Sequence, residues 1–302
     1  MGSHKTYPTV SQIHGRNAAL SSALKTKSNL LKVPGRTHVM IAIPCVKASI
    51  TIKIATLLCD CICEGIKPGG KFIYSFKFVN DYHPTEYARN VLCRHFLDSD
   101  AEYLWFIDSD TMPSDDSLKL MDAVGADIFA GVYPIGRQDK GNRVLAVDWG
   151  MYKKVENSDY GHVSLPLEAY QKDEIIDVDA AATGCMVISR KVIEHFAKDA
   201  EKDEDGTPAI FKWPKKCTGK SATSDDFDFC MRAKEVGFNI KVHTGVRWGH
   251  LKLKDLQDVY EQLKSAWKAG YEESMEDGAT DALNRGMGVE DGDSEYLSAD
   301  RA

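Results

Sequence analysis

Acidic residues are missing from the first 59 positions, which hold eight Lys and Arg; the first acid is Asp60. The C-terminal end is the reverse, with "EESMEDGATD" and "VEDGDSEYLSAD", and the whole chain carries a net charge of -7. The acidic end reads as a solvated tail. The basic start reads either as a solvated stretch or as a face for an anionic partner. No apolar run approaches the roughly 18 residues of a membrane span. The N-terminus lacks the apolar core of a secretion signal, so a cytoplasmic chain is expected. Eight cysteines in 302 residues are too few for a disulfide scaffold. Cys59, Cys61 and Cys63 have no second Cys or His pair at zinc-finger spacing, and they read as small buried hydrophobes in a reducing compartment. No GxxxxGK[ST] occurs, and no GxGxxG follows the first apolar run.

What is present alternates between two periods. "THVMIAIP" reads as a buried strand, "ASITIKIATLLCDCICEGI" as a helix ending near Gly65, and "KFIYSFKFV" as a second strand. In "HPTEYARNVLCRHFLDSD", residues Ala88, Val91, Leu92, His95 and Phe96 fall on one helical face. A third strand, 103–107, follows. This order predicts an α/β fold: a Rossmann-like, mostly parallel, doubly wound sheet with ligands beyond the C-terminal strand ends. The expected layout is a basic extension over residues 1–36, one domain over 37–253, and a helix with an acidic tail over 254–302. A helix is also expected at 18–31.

The third strand ends in "DSD". On an extended segment Asp108 and Asp110 would face one ligand, and two adjacent carboxylates call for a cation. An EF-hand is excluded, because Pro113 and Lys119 stand where its Gly and Glu belong. Ser114 reads as an N-cap, which puts Asp115 and Asp116 in a first helical turn. "DIFAGVYP" is a further strand. "EIIDVDAAATGCMVISRKVIEHF" supplies two strands around a Thr183-Gly184 turn, then a helix. In "SATSDDFDFCMRAKEVGF", Thr223 and Asp226 have capping-box spacing, and Asp225-Asp226 open a helix with Phe229, Ala233 and Val236 on one face and Gly237 as its stop. Lys212, Lys215, Lys216 and Lys220 precede it, either as an exposed loop or as a lid. Trp149 and Trp213 read as core residues in preference to sugar-stacking platforms.

In their order, "HVMIAIPCV", "YARNVLCRHFL", "YLWFIDSDTMPSDD", "DIFAGVYP", "ATGCMVISRKVI", "SDDFDFCMRAKEVGF" and "GVRWGH" resemble the GT-A-fold nucleotide-sugar glycosyltransferases of the small bacterial and phage type. The resemblance spans about residues 38–251. It implies a metal site at Asp108, Asp110 and His250, filled by Mn²⁺ or Mg²⁺. It implies nucleotide-sugar contacts at Pro44, Cys45, Arg89, Asp108, Ser109 and Gly184, with a UDP-sugar as the expected donor. It places the catalytic pair at Asp225 and Asp226, with Asp226 as the base of an inverting transfer; Asp225 stands where the family commonly has Glu. A phage chain would work in the host cytoplasm. The acceptor stays open between a glycan hydroxyl and an anionic polymer such as hydroxymethylated DNA. Two rival readings are a nucleotidyltransferase, which normally has a Gly-rich loop where this chain has "IPCVKASI", and a non-catalytic carbohydrate- or metal-binding module.

Overall fold

The computed structural model describes residues 33–45, 49–80, 84–138, 145–155, 162–213 and 224–251. The expected extension, helix at 18–31 and acidic tail lie outside them, apart from 33–36, as do Lys215, Lys216, Lys220 and Thr223. Among the described residues the strands are β1 (Thr37–Cys45), β2 (Phe72–Asn80), β3 (Tyr103–Ile107), β4 (Thr111–Met112), β5 (Ile128–Val132), β6 (Ile135–Gln138), β7 (Leu145–Asp148), β8 (Met151–Lys154), β9 (His162–Ser164), β10 (Ile175–Asp177), β11 (Ala180–Ala181), β12 (Cys185–Ser189), β13 (Ile240–Arg247) and β14 (Gly249–His250). The helices are α1 (Ile52–Ile66), α2 (Thr85–Leu97), α3 (Arg190–Lys198) and α4 (Asp225–Glu235). Compactness divides the chain into two units, Met1–Gly136 with Val147–Lys252, and Arg137–Ala146 with Leu253–Ala302. Of the second unit only 137–138 and 145–146 are described, at the ends of β6 and β7. All that follows concerns the first.

The protein is α/β. Its central sheet has seven strands in the order β10-β13-β5-β12-β3-β1-β2. β2, β1 and β3 pair in parallel, and so do β5 and β13. β12 runs antiparallel to both β3 and β5, and β10 runs antiparallel to β13. Five of the seven strands therefore share one direction. Both faces are covered. Met40, Ala42, Leu104 and Phe106 pack under Leu92 and Phe96 of α2, Ile193 of α3 and Phe229 of α4. Val39, Ile41, Trp105 and Ile107 pack under Ile54 and Leu57 of α1 and Leu120. The two sets alternate along β1 and β3, as side chains on a strand must. This explains why both strands are apolar throughout.

Local chemistry sets the helix ends. The Thr51 side chain accepts from the Ile54 amide at 3.2 Å and caps α1. In α4, Asp225, Asp226 and Asp228 occupy the first turn and Arg232 and Lys234 the last, complementing the dipole at both ends. Gly237 adopts φ +92° and ends that helix. Asp127 and Asn239 clamp the starts of β5 and β13. The Asn239 backbone and side-chain N–H groups donate to Asp127 Oδ2 at 3.0 and 2.9 Å, and the Asp127 amide donates to Asn239 Oδ1 at 3.0 Å.

Several expectations change. No α-helix starts at Ser114; a 3-10 helix runs over Ser117–Ala123, and Asp115 and Asp116 precede it, paired with Lys53 and Lys119. Of the three alternate cysteines only Cys61 is buried, because a two-residue step on a helix turns about 200°. All seven described cysteines are free. Trp149 packs against the core, but Trp213 is 51% exposed and donates to Glu86. Val236 is exposed at the C-cap of α4.

His95 sits half-buried on α2. Burial, with Lys77 and Arg94 nearby, lowers its pKa from 6.5 to about 4. Burial lowers His243 in the same direction. The unfolded chain thus takes up protons from about pH 6.5 downward that the folded chain refuses until about pH 4, so stability falls as pH falls through that window. Thermal midpoints measured from pH 7 to pH 4 should decline, and His95→Gln should flatten the decline.

Candidate functional site

Asp108 is the first residue beyond β3, at the carboxyl edge of the sheet. Its amide donates to the Gly184 carbonyl at 3.2 Å, which ties it to the start of β12. The chain then turns. The Thr111 amide and hydroxyl both donate to the Asp108 carbonyl, at 3.0 and 2.7 Å. Asp108-Ser109-Asp110 is therefore a turn and not an extended segment, so alternate side chains no longer share a direction. Asp108 goes to Arg89, whose Nη2 donates to Oδ1 at 3.2 Å and Oδ2 at 3.3 Å. Asp110 goes to His250, with Oδ2 3.3 Å from Nε2.

His250 reaches this place through a strand pairing that is hard to see in the sequence. β14 pairs antiparallel with β4, setting His250 opposite Thr111, and the Leu251 amide donates to the Asp110 carbonyl at 2.8 Å. His250 Nδ1 lies 2.9 Å from the Pro134 carbonyl, which makes Nδ1 the protonated nitrogen. The Nε2 lone pair then faces a carboxylate oxygen. A cation between the two atoms relieves that repulsion, whether a proton or a metal ion. A carbonyl locking the far nitrogen is also how ligating imidazoles are held. Among the described residues no group of three or more His, Cys, Asp and Glu side chains is placed to hold a metal ion; Asp110 meets His250, and Asp108 pairs with Arg89.

Arg89, on α2, is only 5% exposed. Its Nη1 donates to Asp225 Oδ2 at 2.6 Å. Burial works against its charge, but Asp108, Asp225 and Asp226 outweigh it and hold the guanidinium above its ordinary pKa. Asp225 is equally buried. Burial pushes its pKa up, aided by Asp226 and Asp108, by more than Arg89 pulls it down. One guanidinium thus answers three carboxylates, and the surplus negative charge favours a cation at this edge. Asp226 is half-buried. Its Oδ2 accepts from the Thr183 amide at 3.3 Å, and its Oδ1 accepts from the Phe227 amide at 2.9 Å and from the Ser224 hydroxyl. Ser224 is the observed N-cap position of α4.

Tyr133 was not legible as a site residue. It is buried at the end of β5, and its oxygen accepts from the Gly184 amide at 3.0 Å. Burial first, then Asp108 and Asp226, holds its phenol well above the ordinary pKa. Its ring meets His250 edge-on at 5.2 Å. Gly184 has no room for a side chain, since a Cβ would lie 2.6 Å from the Tyr133 oxygen and 3.1 Å from Asp108 Oδ2. Pro44 and Cys45 are buried at the carboxyl end of β1, and Ser109 is half-buried in the Asp108 turn.

No protein-family model matches the sequence, and no curated protein matches it. Solved structures similar to this chain include A197 from STIV, with 15% identity, TM-score 0.42, and coverage of 72% of this chain and 87% of that one. GalNAc-T7 with UDP, GalNAc and Mn²⁺ gives 9% identity and TM-score 0.37, covering 73% of this chain and 45% of that one. The inositol-1-phosphate CTP transferase from T. maritima gives 11% identity and TM-score 0.31, covering 77% and 96%. No ligand or reaction follows from likenesses this distant.

Gly184→Ala should therefore cost about 1–3 kcal/mol by overpacking, read from denaturant unfolding. Tyr133→Phe, which removes only the acceptor oxygen, should cost about 1 kcal/mol.

Proposed function

We propose that the protein is a GT-A-type, metal-dependent glycosyltransferase that moves a sugar from a nucleoside-diphosphate donor to an acceptor hydroxyl with inversion. The observation that carries this reading is the surplus of carboxylates at the carboxyl edge, divided between two places with different partners. Asp110 meets His250, while Asp225 and Asp226 open α4.

The Asp110–His250 pair fits a divalent cation, since an imidazole with a locked far nitrogen and a carboxylate leave further positions for diphosphate oxygens and water. When bound, Mn²⁺ or Mg²⁺ would neutralise the charge that develops on the departing diphosphate. Pro44, Cys45 and Ser109 stand at the same edge, on the side assigned to the nucleotide, and UDP is the expected carrier.

Asp226 acts as the base. Its two oxygens are held by the Thr183 and Phe227 amides and the Ser224 hydroxyl, which fixes the plane of the carboxylate. As the acceptor oxygen bonds to the anomeric carbon, its proton moves to Asp226 Oδ2 and the bond from that carbon to the diphosphate breaks. The acceptor is a hydroxyl compound, either a glycan or a hydroxymethylated base in DNA.

Purified protein with Mn²⁺ should release nucleoside diphosphate from one donor of a nucleotide-sugar panel when given a hydroxyl acceptor. Asp226→Asn should cut transfer by about 10²–10⁴-fold, the usual contribution of a general base, with donor binding retained. Pyrophosphate release from a nucleoside triphosphate and a sugar phosphate would replace this reading with a nucleotidyltransferase. Full transfer by Asp226→Asn would remove the assigned base.

A further inference from the structure

We propose that Arg89 is a positioning residue for transfer, tying the Asp108 turn to the base-bearing helix α4 without touching the donor. The inference rests on the glycosyltransferase reading above. The resemblance assigns Arg89 to the nucleotide side; the geometry points elsewhere.

Arg89 is 95% enclosed, and both of its Nη atoms are engaged, Nη1 with Asp225 and Nη2 with both oxygens of Asp108. Among the described residues its Nε is buried without a hydrogen-bond partner, so its hydrogen bonds run to these two carboxylates. Its enclosure leaves little surface through which a diphosphate could reach it. The two ends of the bridge belong to different parts of the reaction. Asp108 begins the turn that carries Asp110 toward His250. Asp225 is the first residue of α4, and Asp226 follows it. A rigid planar fork spanning both sets the distance between cation side and base, which a flexible ammonium cannot do.

The neighbouring residue strengthens the case. Asn90 is also buried on α2, and its side chain accepts from the Ile210 and Phe211 amides at 3.0 and 2.8 Å and donates to the Phe211 carbonyl at 2.9 Å. Phe211 stacks on Phe229 of α4 at 4.5 Å and meets Phe106 of β3 edge-on. Two consecutive polar residues of α2 thus hold α4 against β3, one by charge and one through an aromatic bridge.

The test compares wild type with Arg89→Lys, which keeps the charge but loses the fork, and with the double variant Arg89→Met/Asp225→Asn, which leaves no buried charge unpaired at that end. Kd for the nucleoside diphosphate with Mn²⁺ is measured by calorimetry, and kcat is measured per folded molecule below the melting transition. A positioning role predicts Kd within about threefold of wild type and kcat reduced by about 100-fold in both variants, the scale of a 1 Å misplacement. General loss of structure would lower the folded fraction instead of separating kcat from Kd. A Kd weakened tenfold or more with kcat retained would make Arg89 a donor ligand and overturn the proposal, as would unchanged kcat in both variants. If wild type turns over no donor at all, the glycosyltransferase reading fails and takes this role with it. If only the variants' split is wrong, the role of Arg89 alone falls.

Discussion

A guanidinium taken out of water is tolerable only where carboxylates surround it, and Arg89 is such a case. Its helix packs on the parallel half of the sheet. Its two partners come from positions 19 and 136 residues away in sequence. The ion pairs therefore tie together segments that share no local contact. Removing the charge would strand two acids, and removing either acid would strand part of the charge. The Asp108 turn and the N-terminus of α4 are thereby joined through one side chain.

The sheet explains why the rim lies where it does. β3 ends at Ile107 because its apolar register, matched against β1 on one side and β12 on the other, is complete there. Asp108 is then forced out of the core, and the amide and carbonyl of Gly184 hold the returning chain close. The short β4–β14 pair adds the remaining piece by carrying His250 back over the turn. In this way a residue near the end of the described chain joins one in its middle, and the lock on His250 Nδ1 comes from a third place, Pro134.

Much of this was legible in the sequence, and the limits have physical causes. The order β1-α1-β2-α2-β3 and the later β5, β10, β12, α3, α4 and β13 follow from hydrophobic period, whereas the short β4, β6 to β9 and β14 do not; α1 starts at a Thr51 cap and α4 stops at Gly237. Strand direction does not follow from period, because a period of two is the same either way; the reversed β12 and β10 therefore have no sequence signal. Asp108 and Asp110 do not lie on one extended segment as expected, since a turn separates them. Asp115 and Asp116 looked like first-turn residues because a 3-10 start and an α-helical start use the same residue types. Tyr133 offered nothing to read: an aromatic at a strand end is usually core, and only the space that Gly184 leaves open makes its oxygen part of the site.

The account depends most on the claim that Asp110 and His250 form one half of the site, a cation position separate from the base. Mn²⁺ binding, followed by electron paramagnetic resonance in the presence of a nucleoside diphosphate, tests this without any need for turnover. The account predicts one Mn²⁺ per chain in wild type and in Asp226→Asn, and loss of that binding in Asp110→Ala and in His250→Ala. Equal Mn²⁺ binding in all four proteins, or none in wild type, would contradict it.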